Sequence, residues 1–409
     1  VRISRTREGK PETALGSCVV RRVSVACVRV VAALVLLSVA IQSTPVHAVE
    51  AATSPALPPK AASPPDEPLT RDRRVAAGLV LVPGVAVHGS GHYALGQQKT
   101  ALALLITEGI GLALLIGGVS TVLASGNSRH LAGPAVAATV FGSGLVLASF
   151  GADLYGTLAT DGDAVDRLRR PPPRLESEFG YRYVADPHFD YGHFVVESLT
   201  LRRGYFRLTP SAWFASDASN VRYRVEGAYR LLGLAPGELG KRAEHLDVVL
   251  GGMHHRYLPE RFQRSGLELS LDTRFDFSRF GDTLRGSFID LALGYAVAKV
   301  TYDVRGQRVP ADTDDLLLAR VGLGVALRGR AAAGSEARVY YDHRHDDYAA
   351  GFLTPGRVSG VFGKFGADLR WFFTPSLGVL VDAQVGSALV GGFSLLLRDG
   401  SSRTPGGSP

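Results

Sequence analysis

The sequence predicts a transmembrane antiparallel β-barrel of about twelve strands, with ten as the alternative, behind an N-terminal apolar α-helical hairpin. Three observations carry that prediction. A short apolar run with a basic flank marks the chain for export. Two longer apolar stretches reach the length of a membrane-crossing helix. Beyond residue 175 the hydropathy alternates with a period of two, in runs long enough to cross a bilayer as strands.

The export signal comes first. Arg21, Arg22 and Arg29 precede the apolar run Val30–Ile41, and Val46-His47-Ala48 supplies a small-residue site, so residues 1–48 are expected to be a secretory signal peptide cleaved after Ala48. Both cysteines, Cys18 and Cys27, fall in it, so the exported chain is expected to hold neither disulfide nor thiol nucleophile. The same stretch holds seven Arg and Lys against two acids, leaving 38 basic and 36 acidic residues from Val49 onward. Such a balance offers no electrostatic footprint for nucleic acid.

Residues 49–73 are rich in Ala, Pro and Ser and read as a polyproline-like linker. The next unit, 74–160, is an apolar helical module. Ala101–Leu123 and Leu131–Leu158 are each long enough to span hydrocarbon, and the polar turn Asn127-Ser128-Arg129-His130 joins them as a hairpin. Gly109, Gly111, Gly117 and Gly118 on one arm, with Gly142 and Gly144 on the other, permit close helix contact. Glu108 stands out because a carboxylate in an apolar helix is costly unless neutralised or hydrogen-bonded. Two readings are open: a pathway residue, or a carboxylate facing water or a partner's hydroxyl.

Ahead of the hairpin stands Pro83-Gly84, then Gly91-His92-Tyr93-Ala94-Leu95-Gly96. This phrase resembles the Pro-Gly…Gly-His-x-Tyr-x-Gly opening of small two-helix membrane modules of bacterial proteins. The resemblance implies a helical hairpin and no activity. His88 and His92 lie four apart, but two intervening glycines argue against the continuous helix that would align them on a metal.

An Arg/Pro-rich linker, 161–174, closes the helical unit, and the barrel is expected over 175–398 with a disordered tail at 399–409. Leu267, Leu269, Leu271, Thr273, Phe275 and Phe277 oppose Glu268, Ser270, Asp272, Arg274 and Asp276, one oily face against one charged face. Candidate strands run over 175–184, 191–201, 204–215, 220–232, 243–254, 265–278, 284–294, 295–303, 316–328, 335–344, 359–373, 376–386 and 388–398. The division at 284–303 is the least secure, because closed barrels of this class have even strand numbers. Tyr183, Tyr229, Phe275 and Trp371 are expected in interfacial girdles. The pattern resembles that of bacterial outer-membrane β-barrel proteins. It implies an outer-membrane location, a lipid bilayer and barrel-assembly machinery as partners, and a small polar solute or envelope protein as a further one. The last strand, 388–398, departs from that pattern by ending on Leu395, Leu397 and Arg398 without a terminal aromatic.

No nucleophile elbow, His-Glu-x-x-His, P-loop or Rossmann glycine pattern appears in the sequence, and no cofactor is expected. The polar candidates are His254 and His255 at a strand end, and Asp342, His343, His345 and Asp347 in the densest polar cluster. A small-solute pore or a structural envelope component is the expected role. The alternatives are a membrane-bound hydrolase with a His/Asp site at the barrel rim, or an envelope assembly and anchoring protein.

Overall fold

A computed structural model describes residues 71–125, 129–158, 172–186, 192–216, 220–233, 244–257, 261–301, 303–304, 307–308, 312–327, 334–345, 348, 352–354 and 360–399. The expected signal peptide, nearly all of the Ala/Pro/Ser-rich linker, most of the Arg/Pro-rich linker, the tail beyond Asp399 and Asp347 lie outside the described residues.

Four helices open the described chain: α1 (Arg71–Leu81), α2 (Ser90–Ala94), α3 (Gln98–Ser125) and α4 (Arg129–Leu158). Both α3 and α4 are long and apolar enough to cross a membrane. A helix suits an apolar environment because it satisfies its own backbone polar groups. The two pair because glycine lets their backbones touch. A Cβ on Gly142 would lie 2.6 Å from the Gly111 carbonyl oxygen, and one on Gly111 would lie 2.9 Å from that of Gly142.

The strands that follow are β1 (Leu175–Ala185), β2 (His193–Arg203), β3 (Phe206–Ala215), β4 (Asn220–Gly233), β5 (His245–Tyr257), β6 (Phe262–Asp276), β7 (Ser287–Thr301), β8 (Asp303–Val304), β9 (Gln307–Arg308), β10 (Asp312–Ala326), β11 (Glu336–Asp342), β12 (Phe352–Thr354), β13 (Gly360–Phe362), β14 (Lys364–Phe372), β15 (Leu377–Val385) and β16 (Leu389–Arg398). Twelve of them close an antiparallel barrel in chain order, while β8–β9 and β12–β13 form two-stranded ribbons in the connections. The seam joins β1 to β16 in register from Glu176↔Arg398 to Ala185↔Leu389. We call the end where β1 begins and β16 finishes proximal, and the opposite end distal.

Alternation decides which face is which. On β6, Leu267, Leu269 and Leu271 are exposed on the outer wall, whereas Glu268 between them is buried inside. Phe393, Leu395 and Leu397 continue the same outer surface on β16. A soluble protein buries such leucines; a belt of them facing outward is stable against hydrocarbon.

Two expectations are corrected. The segment 284–303 holds one strand, β7, rather than two, because Leu291, Leu293, Tyr295 and Val297 keep the outward phase unbroken and pair with β6 throughout. Phe275 does not sit in a lipid-facing girdle. It packs with Phe277 and Phe280 in a cluster shared by the helices.

That cluster places the hairpin. Leu104, Val140, Ala148 and Ala152 from α3 and α4 meet Ile289, Ala319 and Val321 on the outer wall of β7 and β10. Gly144 makes the approach close, since a Cβ there would lie 2.8 Å from that of Val321. The helices therefore lie beside the barrel, along its oily exterior.

Candidate functional site: a charged lumen with an inserted segment

The inward positions of the strands form a lumen with a cavity of about 500 Å³, lined by residues including Glu178, Arg182, Arg207, Arg224, Glu268, Arg320, Arg338 and Asp368. Ion pairs cross and brace it. Arg182 binds Glu178 at 2.9 Å and Asp382 at 2.7 Å; Arg274 binds Asp290 at 2.7 Å and Glu336 at 3.1 Å; Arg338 binds Asp368 at 2.9 Å. Arginine suits this role because its planar fork meets a carboxylate bidentately while its long stem spans the gap between strands.

One segment enters the lumen from the distal end. Just beyond β11, Arg344 reaches Glu268 on β6 through both terminal nitrogens, at 2.8 and 2.7 Å. Arg224 on β4 binds the same carboxylate at 2.5 Å. Tyr348 then wedges into the distal interior, with its ring 4.9 Å from Phe194 and stacked 5.5 Å from Trp213. Its hydroxyl donates to the Asn220 side-chain Oδ1 at 3.0 Å. Val184, Val196 and Val390 complete a buried apolar plug around it.

The rim candidates separate. His255 points inward, with Nε2 2.8 Å from Asn220 Oδ1, while His254 faces outward and places Nδ1 2.8 Å from Ser265 Oγ. Adjacent positions on a strand point to opposite faces, so the pair cannot share a site. Asp342 lines the cavity and accepts the Arg344 backbone N–H at 3.1 Å. The ring of His343 lies 4.5 Å from that of His345, and its Nδ1 lies 2.9 Å from the Tyr341 hydroxyl. Burial and the neighbouring His345 push the His343 imidazole down to about 4, against a smaller opposing pull from Asp342. Among the described residues no three His, Cys, Asp or Glu side chains gather as a metal site.

The other three candidates converge on a second buried node. Glu108 accepts the His88 backbone N–H at 2.9 Å, and His88 Nδ1 lies 2.6 Å from Ser149 Oγ. Asp153 accepts the backbone N–H of Gly89 at 2.8 Å, and lies 2.5 Å from His92 Nδ1. The other His92 nitrogen is 3.2 Å from Thr283 Oγ1, in the turn between β6 and β7. Gly89 holds φ at +88°, which turns its N–H and that of His88 toward the two helices. His88, His92, Glu108, Ser149 and Asp153 are all buried. The node ties the α1–α2 connection, both long helices and the barrel end together, with its carboxylates satisfied by N–H donors. Sequence spacing missed Ser149, Asp153 and Thr283, since each lies far along the chain from the histidine it meets.

The wall is oily outside, the lumen is charged, and an even number of antiparallel strands closes on itself. This is a transmembrane β-barrel. Among solved structures, the chain is similar to the outer membrane protein Omp33 of Acinetobacter baumannii, at 12% identity and a TM-score of 0.30, covering 56% of this chain and 98% of that one. It is similar to the translocator domain of autotransporter NalP from Neisseria meningitidis, at 13% identity and a TM-score of 0.34, covering 58% and 92%. It is also similar to the β domain of the Bordetella autotransporter Brka, at 16% identity and a TM-score of 0.32, covering 55% and 98%. No family model and no curated protein matches the chain.

Proposed function

We propose that this protein is an outer-membrane barrel that passes small polar solutes through a narrow lumen and is closed in the state described. The observation that carries this reading is the Arg344 and Tyr348 insertion. It occupies a lumen that is otherwise lined by polar and charged side chains around a cavity of about 500 Å³. Both inserted residues lie in the connection between β11 and β14, rather than in the wall. Arg, Asp and Glu of both signs favour water over apolar solutes without strong charge preference. Conductance of the purified protein in planar bilayers tests the reading. The wild type should open rarely, and Tyr348→Ala should open more often or more widely. Silence from both would overturn passage and leave a structural envelope component.

A second reading, a membrane-bound hydrolase, draws on the His254–Ser265 pair, which lies in an outer-wall groove with Tyr223, Met253, Leu267 and Val297. Turnover of a short-chain nitrophenyl ester, abolished by Ser265→Ala, would favour it over the pore.

A further inference from the structure

One corner of the proximal lumen gathers guanidiniums closely. Facing Arg202 on β2 are Glu176 and the guanidiniums of Arg370, Arg207 and Arg398. Glu176 is bound by two of these already, Arg370 and Arg398, the latter at 2.7 Å. Two other acids come near. Glu226 faces Arg207 but is bound by Arg224 at 2.5 Å, and Glu336 faces Arg398 but is bound by Arg274 at 3.1 Å. Three guanidiniums thus share Glu176, and the fourth, Arg207, faces a Glu226 that Arg224 already binds. Arg207 has no hydrogen bond or ion pair to any described residue. Among the described residues the Arg202 side chain donates one hydrogen bond, to the Pro173 carbonyl oxygen at 3.1 Å. The Nε of Arg370 is a buried donor without an acceptor among the described residues. Arg202, Arg207 and Arg370 all line the cavity.

Like charges gathered in a partly buried space repel, and a buried N–H without an acceptor costs the full desolvation of that group. An oxyanion relieves both at once. A phosphate offers several acceptor oxygens and between one and two negative charges at pH 7, and guanidinium forks bind it bidentately. We infer that Arg202, Arg207 and Arg370 form a binding site for a phosphate group, either inorganic or carried by a small polar solute that fits the cavity. Glu176 keeps Arg370 and Arg398 in place, and Arg207, which makes no direct hydrogen bond or ion pair with a described residue, supplies most of the binding. The site does not need the lumen to conduct, so its test is separate from that of the pore.

Calorimetric titration of the detergent-folded full chain with inorganic phosphate, and with glycerol 3-phosphate in a parallel arm, reads the site directly at constant ionic strength. Saturable binding is expected in one or both arms, and the arm with the tighter constant identifies the source of the group. Arg207→Ala should weaken it by at least about tenfold, the loss expected for one charge-assisted contact. Because Arg207 braces no ion pair, this variant should fold like the wild type, which heat-dependent gel mobility checks. Arg261→Ala, at an exposed rim arginine paired with Asp303, should bind as the wild type does. Heat no greater than that of a matched chloride titration, or unchanged binding by Arg207→Ala, would overturn the site.

Discussion

The Arg344 guanidinium spans the barrel interior to grip both oxygens of Glu268, at 2.8 and 2.7 Å. Both side chains are more than nine-tenths buried, and Arg224 holds the same carboxylate from the other side. Removing the shared acid therefore takes a carboxylate from both cations, of which Arg224 keeps Glu226. Glu268→Ala should destabilise the barrel by about 3 kcal/mol or more, as breaking a buried pair does. Glu268→Gln should cost less. Urea unfolding followed by gel mobility gives both values, and equal stability of Glu268→Ala and the wild type would refute the grip.

Tyr348 lies within stacking distance of Trp213, so its removal is visible optically. Tyr348→Phe keeps the ring and loses the hydroxyl's contacts with Asn220 Oδ1 and His255 Nε2, at about 1 kcal/mol. Tyr348→Ala loses the aromatic packing as well, at about 3 kcal/mol if the plug does not refill. Tryptophan emission should shift to the red in the alanine variant and stay near the wild-type position in the phenylalanine variant.

His343 supplies the pH dependence. Its imidazole is held down to about 4, so it stays neutral in the folded chain at pH 5, where a free histidine is largely charged. The unfolded state then binds more protons than the folded one between about 6.5 and 4, so stability contributed here falls as pH drops through that window. Carbon-13 imidazole titration should place the His343 midpoint below 5. A midpoint between 6 and 7 would contradict the buried setting.

Asp153 accepts the backbone N–H of Gly89, Gly91 and His92, besides facing the His92 ring. Asp153→Ala orphans these donors and should loosen the α1–α2 connection by about 3 kcal/mol. Hydrogen exchange should quicken across residues 82–97 while the barrel strands stay protected, because their ladder is independent of the node.

Gly142 and Gly111 set the distance between α3 and α4. Gly142→Leu should force the helices apart and release the hairpin to protease, with the closed barrel still resistant. Resistance of the hairpin equal to wild type would show that the contact is not needed.

Much of the barrel was legible because strand alternation is local. Leu267, Glu268 and Leu269 announce inside and outside by their order alone, whereas β7, divided in two by the sequence reading, is one strand paired with β6 throughout. The candidate site was less legible. Glu108, His88 and His92 drew notice as polar residues in apolar text, and Asp153 as a carboxylate near a helix end, yet nothing in the spacing tied the histidines to Ser149 and Asp153. His254 and His255 looked like a pair, but the pleat sends them to opposite faces.

The sequence by itself determined that this chain forms oily-walled strands and two membrane-length helices, since both depend on chemistry repeated every two residues or sustained over a run. Tertiary structure decided the rest. It set α4 against Val321 on the outer wall, and brought His92 to Thr283 across 191 positions. It also brought Arg344 to Glu268 across 76. Such contacts form only once the barrel closes and fixes which strands stand opposite, and hydropathy periodicity carries no information about that distance.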